Sequence, residues 1–172
     1  YYLDANDFVF GSHRSHHEII AKAFSAIHKL SDEELKEIME NYMGGALYKK
    51  VCEKLPSDDM KEMAKNFFLY GAMAEILARE IGFLRGLGGS MHAAFQPFGI
   101  YPNNAIVGGS SCIAAGAGLY KKVNKKPGLA IANLGDGSLG CGPVWEGMNF
   151  AAMDQYRTLW EEPYNKGGLP VI

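Results

Sequence analysis

One stretch, Leu129-Ala130-Ile131-Ala132-Asn133-Leu134-Gly135-Asp136-Gly137, decides the fold of this chain. It is an apolar run of strand length followed by a glycine-flanked acid, and Pro143 then begins a segment with helical spacing. The acid therefore lies at a strand-to-helix turn, where α/β proteins place ligands. The glycines let backbone amides approach an anion, and a carboxylate there can hold a hard cation against phosphate oxygens. By itself, Gly-Asp-Gly is also an ordinary tight turn.

The residues upstream of this stretch predict an α/β domain with a helical first half. Asp7 to Phe10 is a candidate first strand, and residues 11–30 carry apolar side chains at helical spacing. Pro56-Ser57-Asp58-Asp59 caps a later helix whose methionines and phenylalanines mark a buried face. Residues 85–104 are rich in Gly, Pro and Asn, which predicts a long loop of the kind that serves a site. Residues 108–123 predict a helix of small residues that allows close backbone approach.

Local signals predict several boundaries. Ser31 and Glu34 have the spacing of a capping box, which opens a helix. That helix runs towards Leu55, with a break predicted near Gly44-Gly45. Near the other end, Leu169-Pro170-Val171-Ile172 predicts the opening of a further buried parallel strand.

Composition and charge indicate a globular domain and argue against nucleic-acid-binding and membrane-spanning classes. The chain has 172 residues, 48% of them hydrophobic, and a net charge of -2, which is typical of one ordinary globular domain. The near-neutral charge gives no basic surface for nucleic acid. We expect no membrane span and no signal peptide, because there is no apolar run of about 18 residues and no charged leader. Cys52, Cys112 and Cys141 form no close pair, which predicts a reducing compartment and a cytoplasmic location.

The run His13-Arg14-Ser15-His16-His17 is a second candidate site. Three histidines so close together invite a metal interpretation, but no carboxylate or cysteine set completes a tetrahedral site. A polar turn with half-exposed histidines is the alternative. Arg14 also suits a phosphate group, because its planar guanidinium remains charged at any working pH.

The spacing after the acid resembles the thiamine diphosphate signature of the 2-oxo acid dehydrogenases. Gly135-Asp136-Gly137 is followed by the pattern Glu-x-x-Asn-x-Ala at residues 146–151. Upstream, Gly88-Gly89-Ser90-Met91-His92, Ile106-Val107-Gly108-Gly109 and Gly116-Ala117-Gly118 occur in the order found in the alpha subunit of the decarboxylating component. The resemblance extends over most of the chain.

The resemblance implies a thiamine diphosphate-binding fold, with a mainly parallel sheet flanked by helices. It implies that residues 1–172 are one diphosphate-binding domain, which we expect to be incomplete. The implied activity is oxidative decarboxylation of a small 2-oxo acid, dependent on thiamine diphosphate and magnesium, with acyl transfer to a lipoyl group. The implied partners are a beta-type subunit or fused beta-type domain, and a lipoyl-bearing acyltransferase.

The resemblance also assigns candidate residues. Those implied to bind the cofactor are His13, Arg14, Ala105, Val107, Gly135, Asp136, Gly137 and Ser138. Asp136 would bind magnesium, the amides of Gly137 and Ser138 would hold the diphosphate, and the backbone of Ala105 and Val107 would contact the aminopyrimidine. His92 is the catalytic candidate, on the approach of the substrate or lipoyl group.

Some positions depart from the family pattern. His13 stands where the family has tyrosine, and His17 where it has glycine. Residues 154–168 form an extra polar and aromatic segment, so the choice of 2-oxo acid stays open. Glu146 and Asn149 are interpreted as structural or interfacial residues. A transketolase-like carbon-group transferase and a noncatalytic, degenerate subunit are the alternatives.

Overall fold

The computed structural model describes residues 2–12 and 14–172. The described chain alternates a small sheet with helices, which confirms the predicted α/β class. In chain order the strands and α-helices are β1 (Phe8–Phe10), α1 (His16–Lys29), α2 (Asp32–Asn41), α3 (Ala46–Lys54), α4 (Met60–Ile76), β2 (Ile100–Tyr101), α5 (Gly109–Val123), β3 (Ala130–Ala132), α6 (Gly142–Ala152) and α7 (Gln155–Thr158).

The sheet is parallel and its order is β2-β1-β3. In the register, Val9 of β1 lies opposite Ile100 on one side and Ile131 on the other. Val171 adds a parallel bridge to Ala130 on the outer side of β3. The parallel strand expected at residues 169–172 is therefore present only as one bridging residue pair. The pairing is parallel, as predicted.

The first half of the chain packs around phenylalanine side chains. Phe67 and Phe68 of α4 are fully buried, and the rings of Phe83, Phe95 and Phe98 close over them. The face predicted from the spacing of α4 is thus the buried one. Aromatic rings at these separations favour tilted and edge-to-face contacts, which this cluster shows.

Caps and glycines set the helix boundaries as predicted. The hydroxyl of Ser31 accepts from the amide of Glu34, and the Glu34 carboxylate accepts from the amide of Ser31, so the capping box is confirmed. The break between α2 and α3 occurs where Gly44 and Gly45 have φ values of 67° and 75°. Glycine reaches these left-handed values without the clash that a β-carbon would cause.

The second half of the chain joins its elements through small residues. Helix α6 lies against α5, and a β-carbon at Gly147 would come within 2.8 Å of the Ser111 backbone. Gly118 of α5 similarly faces Val171. The small residues predicted in the helix at residues 108–123 therefore allow this close packing.

One sequence interpretation needs correction. Residues 85–104 are not all loop, because Ile100–Tyr101 forms β2 and pairs with β1. The extra segment at residues 154–168 contains α7 and buries the ring of Tyr156. That ring meets Phe150 and Trp160 edge to face.

The three cysteines are free, as expected. Within residues 2–12 and 14–172, every helix is too short or too polar to span a bilayer.

Candidate functional site

The loops that follow the three strands meet at one edge of the sheet. Because the strands are parallel, their carboxyl ends share that edge. Ser12 follows β1, residues 104–108 follow β2, and residues 133–138 follow β3. Together they line a cavity of about 250 Å³. The candidate site is therefore assembled from segments that are far apart in the sequence.

Five of the residues predicted to bind a cofactor line this cavity, namely Ala105, Val107, Gly135, Gly137 and Ser138. The first two belong to the loop after β2, and the other three belong to the turn after β3. The fold thus brings together two segments that the sequence analysis assigned to opposite ends of one cofactor.

The turn after β3 contains both engaged and free backbone groups. The amide of Ser138 donates to the carbonyl of Gly135 at 2.9 Å, and the Ser138 hydroxyl donates to the same oxygen at 2.5 Å. The Ser138 amide, expected to hold a diphosphate, is therefore already used within the turn. The amides of Asp136 and Gly137 make no hydrogen bond to any described residue. A β-carbon at Gly135 or Gly137 would meet no atom within 4 Å, so the space beside both glycines is open.

Asp136 is exposed and forms no ion pair with the described residues. Its side chain does not line the cavity, but the glycines on both sides of it do. No group of three His, Cys, Asp or Glu side chains able to hold a metal occurs in residues 2–12 and 14–172. A hard cation at Asp136 would therefore take its other ligands from oxygens outside such a group, such as backbone or amide carbonyls, phosphate or water.

Asn104 holds the loop after β2 in place. Its side-chain amide donates to the hydroxyl of Ser110 at 3.1 Å, and its Oδ1 accepts from the amide of Ile106 at 3.0 Å. The Ser110 hydroxyl donates in turn to the carbonyl of Gly11 at 3.2 Å. These bonds tie the loop after β2 to the loop after β1.

Three helices begin at this edge without a side-chain cap. Helices α1, α5 and α6 follow the three strands, and their N-cap residues Ser15, Gly108 and Cys141 make no capping hydrogen bond. First-turn amides that lack a cap carry the positive end of the helix dipole. The edge of the sheet that holds the cavity is therefore favourable to an anion.

The histidine-rich segment lies beside this edge. His13 lies outside the described residues. Arg14 is exposed and does not line the cavity, and its φ of 59° places it in the left-handed region. The Nε2 atom of His16 is bonded to the carbonyl of Ser90 at 2.8 Å, whereas His17 is exposed. The metal interpretation of this segment gains no support from the described residues.

His92 is half-buried and does not line the cavity. Its Nδ1 atom is bonded to the carbonyl of Asn103 at 2.7 Å. Asn103 is the residue before Asn104 in the cavity wall, so His92 contacts the back of the loop that follows β2.

The sequence analysis did not name four polar residues of the cavity wall as site residues, namely Ser12, Asn104, Ser110 and Asn133. Asn133 donates from Nδ2 to the carboxylate of Glu18 at 2.7 Å, which joins the end of β3 to α1. Its position as the first polar residue after a buried strand was an available signal. Asn104 had no such signal, because β2 was hidden in a predicted loop.

The sequence profile of the Dehydrogenase E1 component family matches residues 57–161. That match covers more than half of the chain, and it includes the β2 loop and the β3 turn. The chain therefore belongs to the family of thiamine diphosphate-dependent 2-oxo acid dehydrogenase components, and it is of the alpha-subunit type. This confirms the family resemblance seen in the sequence.

Curated relatives agree with this assignment. The chain is 38% identical over 91 residues to the alpha subunit of acetoin:2,6-dichlorophenolindophenol oxidoreductase from Bacillus subtilis, a match that covers 53% of this chain and 27% of the relative. It is 34% identical over 96 residues to the mitochondrial pyruvate dehydrogenase E1 component subunit alpha of Dictyostelium discoideum, covering 56% and 25%. For the Rickettsia conorii pyruvate dehydrogenase E1 component subunit alpha the values are 35% over 100 residues, covering 58% and 27%.

These matches span about a quarter of the length of each relative. No solved structure matches the chain.

Proposed function

We propose that this chain forms the alpha-type half of an active site that decarboxylates a small 2-oxo acid with thiamine diphosphate and magnesium. The observation that carries the proposal is the cavity between the Ala105–Val107 loop and the Gly135–Ser138 turn. These two segments supply free backbone groups on facing walls at the carboxyl edge of a parallel sheet. The family match makes the dehydrogenase the favoured function over a transketolase-like transferase.

The turn after β3 is suited to the diphosphate end of the cofactor. The Gly137 amide is an unengaged donor that would bind a phosphate oxygen, and the Asp136 carboxylate would hold the magnesium ion. Arg14 and His13 are the further candidates for phosphate contacts. The Ser138 amide is not free to bind the diphosphate, because it donates to the carbonyl of Gly135. Ser138 lines the cavity wall instead.

The loop after β2 is suited to the ring end. The backbone groups of Ala105 and Val107 make no hydrogen bond to the described residues, so both can bond to a heterocycle. Asn104 holds this loop in one conformation through its two side-chain bonds. The cofactor itself would supply the carbon nucleophile and the electron sink for decarboxylation. The chain's contribution is to hold that group in one orientation.

A beta-type subunit or domain is the proposed partner at the mouth of the cavity. Ile106, Leu139 and Trp145 expose 71%, 44% and 57% of their surfaces around the two cavity walls. Apolar side chains grouped at the rim of a site are typical of a surface that another protein covers. A lipoyl-bearing acyltransferase is the proposed partner that takes up the acyl group. His92 remains the candidate for the approach of the substrate or lipoyl group, where it would act from behind the loop after β2 that its ring contacts.

The experiment is calorimetric titration of thiamine diphosphate into the full-length protein with its co-purifying partner, with and without magnesium. We expect magnesium-dependent binding in the wild type. In Asp136→Ala, binding should weaken by at least about tenfold, because even residues that only support a ligand contribute that much. The magnesium dependence should disappear with it.

Asp58→Ala is the matched control, because Asp58 is an exposed aspartate in a loop away from the cavity. It should bind like the wild type. Absence of binding in the wild type with its partner present would overturn the proposal and favour a noncatalytic subunit. Equal binding by Asp136→Ala would remove Asp136 from the metal site.

A further inference from the structure

The buried carboxylate of Glu75 forms no ion pair with any residue that the structure describes. Glu75, in the last turn of α4, has no exposed surface. Its Oε2 accepts from the amides of Leu84 and Gly86 at 2.8 and 2.9 Å, and its Oε1 accepts from the amides of Gly88 and Gly89 at 2.8 and 3.0 Å. Four amide donors on one carboxylate are charge-assisted bonds, which are stronger than bonds between neutral groups.

These four bonds organise a segment that has no regular structure. Residues 78–92, between α4 and the approach to β2, contain no helix or strand. Arg85, Gly86 and Gly89 adopt left-handed φ values of 56°, 74° and 57°. Turn hydrogen bonds engage the amides of Gly82, Arg85, Leu87 and His92 within this segment, and the carboxylate supplies acceptors for four further amides. The two carboxylate oxygens of Glu75 therefore hold this loop in place, as the hydrogen bonds of a helix or strand would.

The loop held by Glu75 is hydrogen-bonded to two histidines, His92 and His16. The carbonyl of Gly88 accepts from the amide of His92 at 3.2 Å. The ring of His92 is bonded to the carbonyl of Asn103, and the carbonyl of Ser90 is bonded to the ring of His16. The loop held by Glu75 therefore contacts both the segment after β2 and the start of α1.

We propose that Glu75 is a positioning residue whose buried carboxylate fixes residues 84–92 and, through them, the orientation of His92 at the back of the cavity wall. The inference rests on the proposed function for its effect on turnover. Loss of the carboxylate lowers turnover and leaves cofactor binding nearly intact, because none of residues 84–92 lines the cavity. Removing the negative charge breaks two of the four bonds, since a glutamine has one acceptor oxygen and presents its own donors to the other two amides.

The test uses the full-length protein with its partner and the variants Glu75→Gln and Glu75→Asp. In Glu75→Gln we expect kcat to fall by about 10- to 100-fold, the range seen when a residue that orients a site group is lost. The Kd for thiamine diphosphate should change by less than about threefold. Glu75→Asp keeps the charge and should recover part of kcat. Glu80→Gln is the matched control, because Glu80 is an exposed glutamate in the same connection.

Hydrogen exchange supplies a readout that needs no activity. The amides of Leu84, Gly86, Gly88 and Gly89 should exchange slowly in the wild type and faster in Glu75→Gln, with α4 unchanged. Unchanged exchange at these four amides would overturn the inference whether or not the protein turns over. A wild type that binds no cofactor would instead count against the proposed function.

A double-mutant cycle separates positioning from general destabilisation. If Glu75 acts through His92, then Glu75→Gln should cost little additional kcat in a His92→Ala background, because interacting residues are not additive. Fully additive effects of the two substitutions would overturn the inference. An unchanged kcat in Glu75→Gln, with an active wild type, would overturn it as well.

Discussion

The helices of the first half bury their apolar faces against one another, whereas the elements from β2 onwards leave much of theirs at the surface. The first group includes α1 to α4 and the phenylalanine cluster around Phe68, in which the largest side chains are fully buried. The second group has a small cluster of Phe10, Ala114 and Ala130 under the sheet. Trp145 and Ile106 remain mostly exposed. The first region thus holds the larger buried core, and the second supplies most of the cavity wall and the more exposed apolar side chains.

The helix starts also differ. Ser31 and Asp59 cap α2 and α4 with side-chain hydrogen bonds. The three helices that follow strands have no such cap, and all three begin at the edge that holds the cavity. Capping satisfies amides that an anion would otherwise bind, so uncapped starts at this edge are favourable to an anion. Helix α3 also lacks a side-chain cap, so the absence of a cap points to a ligand only where the helix follows a strand at the cavity edge.

Removing one ring from the aromatic cluster should produce the largest effect. Phe68→Ala should lower the free energy of unfolding by about 3–5 kcal/mol, because it opens a cavity among Phe83, Phe95 and Phe98. Phe150→Ala is the control in the second region, where a partly exposed ring meets Tyr156 edge to face. It should cost about 1 kcal/mol. Urea unfolding followed by circular dichroism measures both, and equal losses would contradict the difference between the regions.

Two glycine substitutions test the packing of the second region, and we expect intermediate changes in the free energy of unfolding. Gly147→Ala should lower the free energy of unfolding by about 1–3 kcal/mol, because the added carbon meets the backbone of Ser111 and Cys112 at 2.8 and 3.0 Å. Gly116→Ala, in α5, meets no atom within 4 Å and should raise that free energy by about 0.5–1 kcal/mol. Thermal unfolding of both variants is the measurement. Stabilisation by both would mean that α5 and α6 are not in close contact.

The sequence was informative wherever a local signal and the fold agree. The strand-to-helix turn at Gly135, the capping box at Ser31 and the break at Gly44-Gly45 were predicted because each depends on neighbouring residues. The strand β2 was missed because two residues cannot show an alternating pattern, and their pairing with β1 is non-local. Glu75 was missed for a similar reason, since a glutamate in a helical pattern gives no sign that four distant amides converge on it.

Substitutions at N-cap residues should change the free energy of unfolding least. They compare equivalent positions in the two regions. Ser31→Ala should lower the free energy of unfolding by about 1 kcal/mol, because the hydroxyl that accepts from Glu34 is lost. Cys141→Ala alters the corresponding N-cap position of α6, where no capping bond exists, and should change it by less than about 0.5 kcal/mol. Chemical unfolding measures both. A loss at Cys141 as large as that at Ser31 would show that the start of α6 is held by its own side chain, and the free amides at the cavity edge would then need another explanation.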